Sequence, residues 1–407
     1  MRTLIKIAWR NIWRNTSRSL ILILAIVFGL VGGNFIVSIY LGLIQQNFRD
    51  TIERQISHIQ IHDPDFVKDN EAQYRIADGL RIAGEINRHP DVKSATARTV
   101  LHGMAASPHL STGIRIVGVH PDREIQTTGF DRQIEEGTYF TDEGRLPSVV
   151  IGRELAGKLR SGIGSRIVLT FMDIHGEMIS SSFRIEGIYA IGKRYEERMV
   201  FVHAKDINEL IGDENAVTEI AVLLHDNDAF KRIADELEHT YAGLTVRSWD
   251  QLAPDLRFQL EVGEQSVIWI IAIILFGVAF GILNSILMSI FERTRELGML
   301  LSIGMKKIKV FGMVIIETVL LSLTGGVIGL VLSFGLVSFL QQRGVDLSAI
   351  GGENLREVGF PHFVYPELAL AFYFQVAVLV VFFAVLASIY PAIKAIKLVP
   401  AEAVRQE

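Results

Sequence analysis

Four long stretches that contain almost no charged side chain constrain this 407-residue chain more than any other feature of its sequence. Three contain no charged residue and the fourth contains only Glu317; the stretches are Ser19–Phe48, Gln265–Phe291, Val310–Gln342 and Leu368–Ile393. Each exceeds the roughly 20 apolar residues that an α-helix needs to cross a hydrocarbon core. The sequence therefore predicts transmembrane helices at residues 19–43, 265–291, 310–340 and 368–390. It excludes a simple cytosolic enzyme and a disordered chain.

The distribution of charged residues predicts how these helices are oriented. Residues 1–18 carry five basic side chains and no acidic one, and the loop at 292–309 carries five basic against two acidic. Residues 45–263 carry 25 basic and 35 acidic side chains and contain no stretch of membrane length. Because basic loops stay in the cytoplasm, both termini (1–18 and 391–407) and the 292–309 loop are expected there. The segments 44–264 and 341–367 are expected outside. A cleavable signal peptide is the competing interpretation of the first stretch, but its apolar core would be shorter, and no A-x-A-like site follows.

The extracytoplasmic segment at 44–264 is predicted to be a mixed α/β domain with a β-rich insert at about 113–203. Residues 58–62 alternate between apolar and polar side chains, which is typical of a strand with one solvated face. Helices are predicted at 76–86 and 228–240. Further strands are predicted at 113–119, 166–171, 183–189, 199–203, 219–224 and 244–247. The segments next to the bilayer, 44–56 and 251–262, are expected to extend the first two transmembrane helices as a stalk.

No pattern in the sequence predicts catalysis or cofactor binding by this chain. Residues 152–158 match the first seven positions of a P-loop, but Leu159 stands where the magnesium-binding Ser or Thr belongs. His58 and His62 would lie about 13 Å apart on a strand, so they do not suit a shared metal ion. The absence of cysteine excludes disulfides and thiolate metal sites. We predict no catalytic residue, no metal, no resident cofactor and no nucleic-acid partner.

Small residues four apart occur in three of the predicted transmembrane helices. This spacing lets helix backbones approach closely in lipid, and the set predicts a tightly packed bundle. The pairs are Gly29 and Gly33, Gly277 and Gly281, and Gly325 and Gly329.

Glu317 is the one carboxylate within a predicted span, where a charge is costly and marks a functional candidate. It lies near the predicted cytoplasmic end, within reach of Arg293 or Arg295. A structural contact between helices is the expected role, with conformational coupling and a proton relay as the alternatives.

Three sequence motifs, together with the four-helix layout, resemble a known family. They are AWRNIWR at 8–14, ERTRELGMLLSIG at 292–304 and YPAIKAIKLVPAEAV at 390–404. The chain resembles the FtsX/MacB-like ABC transporter permeases, and among them the lipoprotein-releasing permeases. The resemblance implies a porter-like extracytoplasmic domain with a β-rich insert. It also implies two separate ATPase subunits that bind ATP and Mg²⁺, and a second permease subunit, identical or paralogous, in a bacterial inner membrane.

The loop at 292–309 is expected to be the segment that couples the permease to the ATPase. It is too apolar for a free loop and therefore needs a surface to dock on. The expected coupling residues are Glu296, Leu297, Gly298, Leu300, Leu301 and Gly304, with the three leucines as the docking face and the two glycines as its boundaries. An interfacial helix lying on the inner leaflet is the alternative.

Three functions are consistent with the resemblance. The leading hypothesis is the extraction of lipoproteins or another amphiphile from the membrane, driven mechanically by ATP hydrolysis in the partner and aided by a periplasmic chaperone or adaptor. The second is a MacB-like efflux permease for peptides or drugs. The third is a non-transporting, FtsX-like regulator of cell-wall hydrolases, which the size of the extracytoplasmic domain disfavours.

Overall fold

A computed structural model describes residues 8–10, 12–14, 16–140, 146–190, 198–347 and 363–397. The chain divides into two units. A helical unit comprises Met1–Gln45, Gln259–Asp346 and Phe363–Glu407, and an α/β unit comprises Gln46–Phe258 and Leu347–His362. Parts of four predicted segments lie outside the described residues: 1–7, 11 and 15 of the N-terminal segment, 141–145 and 191–197 of the extracytoplasmic domain, 348–362 of the second extracytoplasmic loop and 398–407 of the C-terminal tail.

The α-helices of the described residues are numbered in chain order. They are α1 (Thr16–Thr51), α2 (Phe66–Asp69), α3 (Gly79–Ile86), α4 (Pro121–Thr128), α5 (Arg153–Leu159), α6 (Ala204–Ile211), α7 (Phe230–Thr240), α8 (Trp249–Leu252), α9 (Pro254–Glu292), α10 (Thr294–Ser302), α11 (Lys307–Arg343) and α12 (Leu370–Ile396). Residues 8–10 and 12–14 are also helical. A π-helical turn, Ile52–Ile56, follows α1, and 3₁₀ turns lie at Phe130–Gln133 and Asn227–Ala229.

The β-strands are numbered in the same way. They are β1 (Ile59–His62), β2 (Val92–Ala106), β3 (Ser111–Val119), β4 (Ile134–Gly137), β5 (Ser148–Gly152), β6 (Arg166–Met172), β7 (Met178–Tyr189), β8 (Met199–His203), β9 (Glu219–Leu224), β10 (Thr245–Ser248), β11 (Val345–Asp346) and β12 (Phe363–Val364). The last two pair with each other, antiparallel.

Four helices of the helical unit, α1, α9, α11 and α12, are long and apolar enough to cross a membrane. At 1.5 Å per residue the 39-residue α9 is about 58 Å long, nearly twice the roughly 30 Å of a hydrocarbon core. The predicted stalk is therefore helical: α1 continues to Thr51, and α9 begins at Pro254. Buried aliphatic side chains of all four helices form one core, which includes Ile26, Ile282 and Val380.

The α/β unit is organised around the 15-residue strand β2, which the sequence analysis did not predict. Its first half pairs with β9, and its second half pairs with β3 and β6. On one side the strand order is β10-β1-β9-β2, with apolar residues of α3 and α7 in its core. On the other side, β2, β3, β8, β5, β7 and β6 pair in a closed cycle. The predicted β-rich insert is thus a small barrel that borrows half of β2.

The barrel has its own apolar core. Inward side chains of several strands, such as Leu101, Ile151 and Phe183, are fully or almost fully buried there together with Leu155 of α5. The segment that resembles a P-loop is strand β5 followed directly by helix α5.

The predicted solvated face on β1 is wrong. All four residues of the strand are buried, and on the face predicted to be solvated the ring of Phe66 in α2 stacks on His62. The Nδ1 atom of His62 lies 2.9 Å from the carbonyl oxygen of Thr218, and its Nε2 atom lies 3.2 Å from Oε1 of Gln60. These polar side chains are therefore satisfied inside the protein, as buried polar groups must be. No group of potential metal ligands occurs among the described residues.

Candidate functional site

Helix α10 is the short connection between the apolar helices α9 and α11. Its first turn carries Glu296, whose charge is favourable beside the free N–H groups of a helix N-terminus. The helix ends at Ser302, and Gly304 follows with a φ of +96°, a left-handed conformation that favours glycine. Gly304 therefore lies at the predicted boundary of the coupling segment. Gly298 does not, because it is buried in the middle of the helix.

The two sides of α10 differ from the expected arrangement. Leu297 is buried in the core of the bundle, and Leu300 and Leu301 pack against the same core. The apolar side chains left on the surface are Met299, which is 45% exposed, and Ile303, which is 85% exposed. The three leucines therefore attach α10 to its own bundle, and Met299 and Ile303 remain exposed.

Glu296 pairs with Arg14, a residue near the N-terminus. Arg14 Nη2 donates a hydrogen bond to Glu296 Oε1, and both side chains are about half exposed. Ile12, in the same N-terminal helical segment, is buried in the bundle core. The N-terminal segment thus contacts α10 through a charge pair and the bundle through an apolar side chain.

Glu317 pairs with Arg293, the first of the two partners predicted for it. Arg293 Nη1 donates to Glu317 Oε1 at 3.2 Å, and both side chains are largely buried. The pair joins Arg293, which directly follows α9, to Glu317 in the third turn of α11. It therefore holds the start of α10, which follows Arg293 directly, against α11.

We call this end of the bundle, which carries Arg14, Arg293, Lys306 and Lys394, the basic end. A cavity of about 490 Å³ opens there, between the first turns of α1, the last turns of α9, α10 and the first half of α11. Both ion pairs lie in its wall. The rest of the lining is mainly apolar and includes Leu22, Ile286, Leu300 and Met313.

Two of the predicted glycine pairs form close helix contacts. A β-carbon added at Gly325 would lie 3.0 Å from Cβ of Ile26, and one added at Gly329 would lie 2.9 Å from Cδ1 of Leu30. On the other side of α1, Gly33 faces Ile274, and a β-carbon at Gly29 would collide with Val278. Helix α1 is therefore packed closely between α9 and α11, as small residues at this spacing allow.

The third glycine pair has no such contact. In the residues that the structure describes, a β-carbon added at Gly277 or Gly281 would have no atom within 4 Å. The expected packing role of these two residues is therefore not found among the residues that the structure describes.

A polar contact between α1 and α11 was not predicted. Nδ2 of Asn34 donates to Oγ of Ser333 at 3.0 Å, and both residues are buried. Hydrogen bonds of this kind hold helices together in lipid. The signal in the sequence is weak, because a single Asn in an apolar helix does not reveal which neighbour it faces.

The α/β unit contains a buried ionic cluster that the sequence analysis also missed. Arg98 contacts Glu124 Oε1 at 2.6 Å and Glu219 Oε1 at 3.0 Å, and all three are almost fully buried. Arg115 contacts Glu219 Oε2 at 2.8 Å. Burial opposes ionisation of Glu219, but the guanidinium groups of Arg115 and Arg98 hold its pKa below the ordinary value. The cluster joins β2, β3, β9 and α4 through charges.

Two family models account for nearly the whole chain. The model of the MacB-like periplasmic core domain matches residues 19–240, more than half of the sequence, and the model of the FtsX-like permease C-terminal region matches residues 268–400. The chain belongs to the FtsX/MacB-like family of ABC transporter permeases. It is accordingly a multi-pass membrane protein, and α10, Arg293 and Glu317 lie in its FtsX-like part.

Several relatives carry permease names. An uncharacterized ABC transporter permease of Methanocaldococcus jannaschii, MJ1507, is 26% identical over 231 residues, which are 54% of this chain and 55% of that protein. The lipoprotein-releasing system transmembrane protein LolC of Xylella fastidiosa is 20% identical over 71% of this chain and 72% of its own length. The macrolide export ATP-binding/permease protein MacB of Nitrobacter winogradskyi is 27% identical over 48% of this chain and 32% of its own length. The chain thus spans about half of the first relative and a third of the last.

Solved structures are similar to part of this permease. The periplasmic region of MacB from Actinobacillus actinomycetemcomitans aligns at a TM-score of 0.37 and 13% identity, covering 53% of this chain and 97% of that one. The extracellular domain of the transporter YknZ from Gram-positive bacteria aligns at a TM-score of 0.33 and 16% identity, covering 47% and 99%.

Proposed function

We propose that this permease is the membrane subunit of an ABC transporter and that ATP hydrolysis in a separate ATPase drives rearrangement of its α/β unit. The observation that carries the proposal is helix α10, which is fixed to the bundle by Leu297 and presents Met299 and Ile303 to a partner. Two ATPase subunits would bind ATP and Mg²⁺, and two permease subunits, identical or paralogous, would form the membrane part. The basic end would face the cytoplasm of a bacterium, and the α/β unit would lie outside its inner membrane.

The exposed apolar residues on and after α10 support a docking role. Burying a side chain as large as that of Ile303 contributes about 1.5–3 kcal/mol, and Met299 lies one helical turn before it. Arg295, Lys306 and Lys307 flank these residues and suit an acidic rim on the partner. An apolar centre with a charged rim is the usual anatomy of a protein interface.

Substitution at Ile303 tests the docking role. With Ile303→Asp, a charge would enter the contact, and we expect the yield of complex with the ATPase to fall by about ten-fold or more. Ile163→Asp is the matched control, because Ile163 is also exposed and lies in the α/β unit. The purified permease alone should not hydrolyse ATP. Robust hydrolysis by the isolated chain, or an unchanged complex yield with Ile303→Asp, would contradict the proposal.

The length of α1 and α9 supports mechanical transmission. Each continues as one helix beyond the length that a hydrocarbon core requires. A displacement imposed on α10 would reach α9 through the chain at Arg293, α11 through the Arg293–Glu317 pair, and the bundle core through Leu297. In this proposal substrate moves along the outer domain and does not pass through a central channel.

For the substrate we propose a lipoprotein or another amphiphile that is extracted from the outer leaflet, with a periplasmic chaperone or adaptor as acceptor. The similarity to LolC over 71% of the chain supports this choice. The alternative is a MacB-like efflux permease. The similarity to MacB, which covers 48% of this chain, supports it. Reconstitution with the ATPase, an acylated lipoprotein and a soluble acceptor separates them. ATP-dependent release of the lipoprotein is expected, whereas hydrolysis stimulated only by a drug or peptide would favour efflux.

A further inference from the structure

We infer that the cavity at the basic end of the bundle binds one zwitterionic phospholipid from the adjacent leaflet, with an acyl chain inside and the head group at the mouth. The cavity lies entirely within the helical unit. Its volume of about 490 Å³ is in the range of about 300–1,000 Å³ that small-molecule sites occupy. Neither the proposed coupling to an ATPase nor the proposed substrate is needed for this site.

The inner part of the cavity suits an acyl chain. It extends from Ser285 to Arg293 along α9 and from Met313 to Leu321 along α11, which is about 12 Å in each case. Apart from the Arg293–Glu317 pair, this wall consists of apolar side chains and three hydroxyl groups, those of Ser285, Ser289 and Thr318. The hydroxyl group of Thr318 already donates to the carbonyl oxygen of Val314 at 3.0 Å. Because the two charged groups are paired with each other, an acyl chain can lie against the apolar part of the wall, where water would find no polar partner.

The mouth of the cavity suits a head group that carries both signs of charge. Arg14 and Glu296 line the mouth, and each is about half exposed, so each can contact a ligand and still keep its partner. A guanidinium has five N–H donors and a carboxylate about four acceptor sites, and the pair shares only a few of them. A lipid phosphate would accept from Arg14, and a lipid ammonium group would donate to Glu296.

The charge balance favours a zwitterion over an anionic lipid. The lining contains two arginines and two glutamates, namely Arg14, Arg293, Glu296 and Glu317, which are paired with one another. A head group with a net negative charge would meet two carboxylates at short range with no excess of positive charge in the cavity. A phosphatidylethanolamine head group keeps the site neutral and places each of its charges beside an opposite one.

Photo-crosslinking of the full chain tests the site. The chain is placed in nanodiscs of phosphatidylethanolamine and phosphatidylglycerol in equal amounts, with a trace of either lipid carrying a diazirine in its acyl chain. We expect the ethanolamine probe to label the peptides that contain Ser285–Arg293 and Met313–Leu321, and to do so more strongly than the glycerol probe. Equal labelling of these peptides by both probes would overturn the assignment of a zwitterionic ligand.

A matched pair of variants on adjacent residues of α9 tests whether the lipid lies inside. Ser289 lines the cavity, whereas Met288 is exposed on the outer surface. Ser289→Phe should reduce labelling of the cavity peptides about ten-fold, and Met288→Phe should leave it unchanged. If Ser289→Phe does not fold, Ser285→Leu fills the same space with a smaller side chain. Undiminished labelling in a folded cavity-filling variant would show that the lipid lies outside and would end the proposal.

A charge reversal at the mouth tests the head group. Glu296→Lys removes the acceptor for the ammonium group and gives the mouth a net positive charge. The preference should then reverse, and the phosphatidylglycerol probe should label more strongly than the phosphatidylethanolamine probe. A preference for ethanolamine that survives this substitution would show that Glu296 does not contact the lipid.

Discussion

The helical unit and the α/β unit of this permease place their charged residues in opposite ways. In the apolar helices of the described chain, close contacts are made by glycine and aliphatic side chains, and the Arg293–Glu317 pair lies at one end of the bundle. In the α/β unit, Arg98, Glu124 and Glu219 lie almost fully buried between the strands and α4. One unit therefore keeps its charges at the rim, and the other holds a charge cluster in its interior.

The difference follows from the surroundings of each unit. A helix in hydrocarbon gains little from burying apolar side chains, so close backbone packing and a few polar contacts such as Asn34–Ser333 must hold it. A domain in water gains its stability from apolar burial, and it can hold charges inside only if they are paired. Substitutions that break the pairing or the packing should therefore act differently in the two units.

The largest effect is expected at Arg98. Arg98→Met removes the cation that contacts both Glu124 and Glu219 and leaves buried carboxylates without it, at a cost of about 3–5 kcal/mol. Arg81→Met is the control, because Arg81 forms exposed pairs with Asp78 and Glu85, which contribute about 1 kcal/mol or less. Hydrogen exchange of the β2 and β9 peptides in the full chain measures both variants. Equal protection in the two variants would show that the cluster does not stabilise the domain.

The next effect is expected from crowding the bundle. Gly325→Leu places a side chain against Ile26 and should destabilise the bundle by about 1–3 kcal/mol or more. Gly277→Leu adds the same side chain on a surface where no atom of the described residues lies near, so the unfolding of the single chain should hardly change. Thermal unfolding in detergent compares the two. A larger loss for the residue 277 variant would reverse the order that the packing predicts.

Substitutions of Glu317 test whether its pair with Arg293 is structural or couples ATP hydrolysis to substrate release. If the contact is structural, Glu317→Ala should cost about 1–3 kcal/mol, because Arg293 loses its acceptor, and Glu317→Gln should be tolerated. If the charge couples hydrolysis to release, Glu317→Gln should fold and assemble normally but hydrolyse ATP without releasing substrate. Hydrolysis and release measured on the same sample decide between the two, and we expect the structural outcome.

The smallest expected effect is the change in the stability of the α/β unit with pH, which its buried titratable groups cause. Burial lowers the pKa of His62 below its ordinary value, so the folded domain binds fewer protons there than the unfolded chain. Stability should therefore be complete above about pH 6.5 and should decline as the pH falls below that value. The lowered pKa of Glu219 adds a second loss below about pH 4.5. His62→Gln should flatten the curve between pH 7 and 5 in part, since burial lowers the pKa of His58 as well. An unchanged slope would exclude a contribution from His62.

The sequence predicts those elements whose burial in lipid or in the protein core shows in their own run of residues. The four apolar helices follow from the absence of charges, and the predicted bounds of β8 and β9 agree with the structure because their residues fit short buried strands. Strand β2 could not be predicted because its small, polar and apolar residues do not alternate regularly along the chain. Its neighbours come from distant parts of the chain, which local patterns do not reveal.

For α10, the sequence predicts the position of the helix but not which of its sides faces the bundle. Helical spacing identifies α10 as amphipathic, but it does not determine which face meets the bundle and which remains free. Leu297, which is expected on the docking face, lies in the core of the bundle, and the exposed Ile303 is not among the expected coupling residues. The pairing of Glu317 with Arg293 was foreseeable because the two lie at the same predicted membrane boundary, whereas the contact of Arg14 with Glu296 joins residues 282 positions apart.

The way in which the barrel borrows half of β2 determines how the α/β unit can be divided in the laboratory. A fragment limited to residues 113–203 would lack the strand that closes the cycle between β3 and β6. Both strands would then expose unpaired N–H and C=O groups, which are templates for aggregation. A fragment that begins before Val92 and ends after Leu224 would keep β2 and its partner β9. Gene fragments, domain swaps and chimaeras of this permease should therefore be cut outside these two residues.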